Sequence, residues 1–137
     1  MRRWRYLLAA IAGVPVCIAL YLWLTLLSPF LYERPDSLDA IEPGTHQVFV
    51  YGTLQYAPVR WLVYGRSGNP ETVYLENFRR DGLDLEPVSG SRVEGLLLTV
   101  DEKELAKLDR YERLGIRYER QRLTLSDGSR AWVYIRR

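Results

Sequence analysis

Val48-Phe49-Val50-Tyr51-Gly52-Thr53-Leu54 is a β-branched and aromatic run that stops at a glycine. Its composition reads as a buried strand from Gln47 to Tyr51 that turns at Gly52. A strand end that turns at glycine can aim successive main-chain N–H groups at one point, a setting for a carboxylate or a developing oxyanion. Without a Cβ at the turn, a ligand can approach the backbone closely. Strand-Gly-Thr also begins many ordinary turns, so the meaning of this stretch depends on what the rest of the chain sets against it.

The clearest helix of the chain runs from Asp101 to Glu112 and ends at Gly115, with Asp101 as N-cap and Glu104 as its capping-box partner. At about 100° per residue, Leu105, Leu108 and Glu112 fall on one stripe, whereas Glu102, Lys103, Lys107 and Arg110 fall on other faces as solvated charge. A carboxylate among leucines at a helix C-terminus feels both desolvation and the negative end of the helix dipole, and each raises its pKa. Such a group suits proton transfer near neutrality. The structural alternative is that Glu112 pairs with Arg113, Arg117 or Arg120 at the helix end.

Other segments read as sheet. Thr72 to Arg79 alternates Val73, Leu75 and Asn77 with Tyr74, Glu76 and Phe78, and Arg92 to Val100 is strand-like with Gly95 inside it. Tyr118 to Leu125 and Arg130 to Ile135 flank Ser126-Asp127-Gly128-Ser129, a hairpin turn signal. Pro58 to Gly65 is a short apolar run that fits a helical turn or a strand and stays unassigned.

Together, Tyr51-Gly52-Thr53-Leu54 and Leu108-Asp109-Arg110-Tyr111-Glu112 resemble the two signature segments of the gamma-glutamylcyclotransferase-like family. The resemblance extends from Val48 to Ile135 through Val93-Glu94-Gly95 and Tyr118-Glu119-Arg120, and the threonine at 53 is similar to the gamma-glutamylamine cyclotransferase branch. It implies an α+β fold, a small, closed, mostly antiparallel β-barrel with flanking helices. It also implies a loop at Tyr51, Gly52, Thr53 and Leu54 that binds a gamma-glutamyl group, a general acid/base at Glu112, a pocket tyrosine at Tyr118 and no cofactor. The implied reaction closes the substrate on itself to give 5-oxoproline and a free amine. Two departures stand out: Arg113 follows the glutamate where glycine is frequent, and Gln55 to Trp61 lacks the basic, histidine-containing stretch of many members. A binding module that keeps the fold without catalysis is the alternative, although a scaffold has no need of a carboxylate among leucines.

Tyr6 to Tyr32 carries no charge over roughly 27 residues, about 40 Å of helix and enough to cross a ~30 Å hydrocarbon core at a tilt. We expect an uncleaved transmembrane helix at about residues 6–30, within an anchor 1–32, then a linker 33–46 containing Pro35 and Pro43, then a domain 47–137. Pro29-Phe30-Leu31-Tyr32 offers no small-residue processing site. Arg2, Arg3 and Arg5 precede the apolar run, while Arg34 follows it with Glu33, Asp36 and Asp39, so the positive-inside rule puts the N-terminus in the cytoplasm and the domain outside. The familiar substrates of such enzymes are mostly intracellular. Either an exported gamma-glutamyl compound is the substrate, or the domain faces the cytoplasm.

Without Arg2, Arg3 and Arg5 the chain holds 16 basic and 17 acidic residues, which leaves no electrostatic footprint for nucleic acid. Cys17 is the sole cysteine and lies in the apolar run, so no disulfide framework or cysteine metal site is available to the domain. His46 is the sole histidine. An ordinary loop or surface role is expected of it, and no metal is expected.

Overall fold

The computed structural model describes residues 2–23 and 32–137 and divides into two compact units, Met1–Glu33 and Arg34–Arg137. In the first, helix α1 spans Arg2–Leu22, a 21-residue element with Pro15 inside it, long and apolar enough to cross a membrane. The remainder of the apolar run, up to residue 31, lies outside the described residues.

The second unit contains β1 (His46–Val50), a 3-10 turn (Thr53–Gln55), α2 (Ala57–Tyr64), β2 (Glu71–Asp81), β3 (Asp84–Val100), α3 (Glu102–Glu112), β4 (Tyr118–Thr124) and β5 (Arg130–Arg136). One mixed sheet runs in the order β2-β3-β1-β5-β4. Central β1 pairs antiparallel with β3, Val48 opposite Leu98 and Val50 opposite Leu96, and parallel with β5 through Val48–Trp132 and Phe49–Val133. Its last three residues form an unbroken apolar run because both faces are covered there: Val48, Phe49 and Val50 are all buried. Phe49 and Tyr51 point into the main core with Leu75, Leu85, Val93, Leu125, Ala131 and Val133. On the opposite face, the buried Leu105 and Leu108 belong to α3, which is tied to β5 by Tyr134.

The sheet is curled and open, not the closed barrel that the resemblance implies. Its outer strands meet at a single bridge, Leu75 with Leu125, where Ser126 N also donates to Tyr74 O. Just beyond that point a bulge at Asn77, in left-handed backbone (φ 63°), shifts the β2–β3 register between Glu76 and Phe78. A bulge bends its strand, so the ladder begun at Leu75 does not propagate. It also reverses the expected alternation: Phe78 packs against the main core beside Val73.

β2 and β3 extend past the sheet as a long hairpin closed by Gly82-Leu83, with Gly82 at φ 61°. Pro87 fits inside β3 because that part of the strand has β2 alone as a neighbour. Gly95 is required by packing. A Cβ there would lie 2.4 Å from Val50 O and 2.6 Å from Phe49 Cζ.

The unassigned apolar run is α2, with proline in its first turn and Gly65 as a left-handed C-cap (φ 87°). α3 starts at the expected capping box, Asp101 with Glu104. It ends on Arg113, which takes the left-handed conformation (φ 53°) in which glycine is most at ease. His46 is buried at the start of β1 rather than at the surface, its ring nitrogen 2.7 Å from Glu42 O.

Candidate active site

The loop after β1 is held from inside the protein. Gly52 O accepts from Gln55 N and Thr53 O from Tyr56 N, both at 3.1 Å, which winds Thr53–Gln55 into a single 3-10 turn. Arg60, a lone buried cation on α2, donates to Leu54 O at 3.1 Å, Gln55 O at 2.7 Å and Ser67 O at 2.7 Å. Gln55 Nε2 donates back to Tyr51 O at 2.6 Å. The loop's carbonyls are thus committed inward. The N–H groups of Gly52, Thr53 and Leu54 have no acceptor among the described residues.

Gly52 sits at φ −108°, ψ −137°, and a Cβ there would meet nothing closer than Leu83 Cδ2 at 3.8 Å. Neither positive φ nor internal crowding explains the glycine. Leu54 is buried, so it can present backbone alone to a ligand, and Thr53 is exposed. Tyr51 stacks on Phe49 and shares its one hydroxyl proton between Leu83 O (3.2 Å) and Tyr134 O (3.1 Å), which brings the β2–β3 hairpin tip over the loop.

Loop and helix meet at Thr53 Oγ1 and Tyr111 OH, 2.8 Å apart, one residue before Glu112. Glu112 is half-buried, and its carboxyl forms no hydrogen bond or salt bridge among the described residues. Desolvation pushes its carboxyl up to about 7, and the positive charge of Arg117 pulls weakly the other way. Burial also raises the phenols of Tyr51, Tyr118 and Tyr134, and the charge of Glu112 adds to each shift. Three phenols, at the end of β1 and on β4 and β5, are therefore within electrostatic reach of one carboxyl that can hold or release a proton at neutral pH.

None of the alternative partners forms an ion pair with Glu112 among the described residues, and Arg117 acts on it through its charge alone. Arg113 caps the helix through its backbone, and Arg120 turns to Asp109. Asp109, which sequence reasoning passed over, is fully buried and accepts from Arg34 Nη1 (2.9 Å), Arg120 Nη2 (3.2 Å) and Tyr134 OH (2.5 Å), with Arg120 Nε 3.1 Å away. A signal was available: Leu105, Leu108, Asp109 and Glu112 form an i, i+3, i+4, i+7 stripe. Arg60 was likewise visible as one charge inside the apolar run Pro58 to Tyr64. Among the described residues no group of three or more His, Cys, Asp or Glu is arranged to hold a metal.

Residues 48–137 match the family described as Gamma-glutamyl cyclotransferase, AIG2-like. The chain belongs to that family. A solution structure of an Arabidopsis thaliana protein shares 30% identity with it at a TM-score of 0.53, covering 74% of this chain and 71% of that one. A second Arabidopsis thaliana solution structure shares 22% identity at 0.58, covering 72% and 66%. A structure named gamma-glutamyl cyclotransferase shares 13% at 0.55, covering 69% and 68%. The last two likenesses speak for the fold, and the chain spans about two thirds of the length of these structures. No curated protein matches the sequence.

Proposed function

We propose that the chain is a membrane-anchored gamma-glutamylcyclotransferase-like enzyme that converts a gamma-glutamyl amine, amide or peptide into 5-oxoproline and a free amine. The observation that carries this is Glu112: a carboxyl with no internal partner, raised to about 7, beside a loop with three unused N–H groups. Glu112 takes a proton from the substrate's α-ammonium, and the freed amine attacks the γ-carbonyl carbon. As the C–N bond to the leaving group breaks, the same carboxyl delivers that proton to the departing nitrogen, and the second proton shed by the ring nitrogen goes to the released amine, which leaves as an ammonium ion. The N–H groups of Gly52, Thr53 and Leu54 hold the α-carboxylate or the tetrahedral oxyanion. Tyr51 and Tyr118 shape the pocket. Because nucleophile and electrophile belong to one molecule, fixing a single rotamer supplies effective concentration. No step needs a cofactor. Threonine at 53 supports a substrate of the gamma-glutamylamine type.

In this reading α1 anchors residues 1–32 with the N-terminus in the cytoplasm, 33–46 join anchor to domain, and 47–137 work outside. The full chain in detergent, incubated with gamma-glutamyl amines and amino acids, is expected to release 5-oxoproline detectable by mass spectrometry. A folded chain that releases none from the whole panel leaves the fold as a carboxylate-binding module instead.

A further inference from the structure

Residues 34–44 lie along α3 and run antiparallel to it. At the C-terminal end of the helix, Arg34 Nη1 donates to Asp109 Oδ2 at 2.9 Å, and its Nη2 donates to Asp39 O at 2.7 Å, which holds the guanidinium at two points. Pro35 and Leu38, joined by a turn from Leu38 N to Pro35 O, cover Gly115 so closely that a Cβ there would lie 2.8 Å from Pro35 Cγ and 3.2 Å from Leu38 Cδ1. At the N-terminal end of the helix, Gly44 N donates to Glu102 Oε2. The segment is fastened at both ends of the element that carries Glu112.

Asp109 is less than one turn before Glu112, and Gly115 three residues after it. Arg34 and the Pro35–Leu38 turn therefore grip α3 on either side of the carboxyl. Arg113, a non-glycine residue in left-handed backbone, leaves that helix end intrinsically strained.

We propose that residues 34–44 are a strap and Arg34 a positioning residue: through Asp109 it fixes the last turn of α3, and so the place of Glu112 against the Gly52–Leu54 loop. The inference rests on the reading of Glu112 as the proton carrier. It makes catalysis depend on the stretch that directly follows the first unit, and it predicts that a domain started at Asp36 is impaired although the family match begins only at residue 48.

The test compares the full chain with Arg34→Ala, Arg34→Lys and Arg66→Ala. The last breaks the Arg66–Glu104 ion pair on the first turn of the same helix and serves as the control for simple helix loosening. Arg34→Ala is expected to lower kcat about tenfold or more with KM within about twofold, since small misplacements of a catalytic group act on the chemical step. Rehydrated Glu112 should also titrate lower, moving the acid limb of kcat/KM down in pH, while Tyr51, Tyr118, Tyr134 and Arg117 around it are unchanged. Arg34→Lys should recover part of kcat, and Arg66→Ala should match the wild type. Amide exchange at Tyr111 to Leu114 should quicken in Arg34→Ala.

A folded Arg34→Ala chain with wild-type kcat and acid limb overturns the proposal. So does a control that loses as much. If Arg34→Ala does not fold, Leu38→Ser, which loosens the cover over Gly115 and leaves Asp109 paired, carries the same expectations. If the wild type releases no 5-oxoproline, the functional reading fails separately, and exchange decides the strap: quicker exchange at Tyr111 to Leu114 upholds it, unchanged exchange overturns it.

Discussion

Glu112 sits where a helix stripe of leucines ends, and its consequences are measurable without a substrate. Its carboxyl ionises near 7 in the folded chain because burial penalises the charge, whereas an unfolded glutamate ionises near ~4.3. Between those values the folded state binds more protons than the unfolded one, so stability falls as pH rises. We expect the wild type to lose on the order of 2 kcal/mol between about pH 5 and pH 8, by denaturant titration, and Glu112→Gln to lose much less over the same range. The rate should move the opposite way, with kcat/KM rising through about 7 as the base ionises. The placement of Glu112 on the leucine stripe was readable because its position relative to Leu105 and Leu108 follows from helix period. The absence of a partner was not, since Arg113, Arg117 and Arg120 are all near in sequence. Only the fold sends Arg120 to Asp109, whose own partner Arg34 lies 75 residues away.

At the level of elements, Gly95 and Arg113 carry opposite predictions. Gly95→Ala would drive a Cβ to 2.4 Å from Val50 O and against the Phe49 ring. Overpacking of this kind costs about 1–3 kcal/mol and here meets backbone, so we expect the upper end, read as a lowered Tm. Arg113→Gly relieves a left-handed non-glycine residue at the α3 C-cap and should stabilise by about 1 kcal/mol. The capping box, the strand before Gly52 and the final hairpin were all evident, because each is set by local chemistry. The β2–β3 hairpin was seen in part. The expected strand began only at Arg92, whereas β3 starts at Asp84, and its first half has one strand neighbour and accommodates Pro87, Ser89 and Gly90. The bulge at Asn77 reversed the expected faces of β2, and with it the closure of the sheet.

For the whole molecule, the buried Asp109 network joins three parts of the second unit: the segment at Arg34, helix α3 and strands β4 and β5. Removing a charge from such a network leaves the remaining ones uncompensated, so Asp109→Asn should cost about 3–5 kcal/mol in unfolding free energy. If α1 anchors the chain, expressed protein should sediment with membranes and leave them only in detergent, and a chain begun at Glu33 should be soluble. The chemistry of Glu112 is tested by 5-oxoproline release from the full chain beside Glu112→Gln, over a panel of gamma-glutamyl amines and amino acids. Release by the wild type that vanishes in a folded Glu112→Gln chain is the predicted result. Equal release by both would contradict the assignment of Glu112, and release by neither would contradict the enzyme.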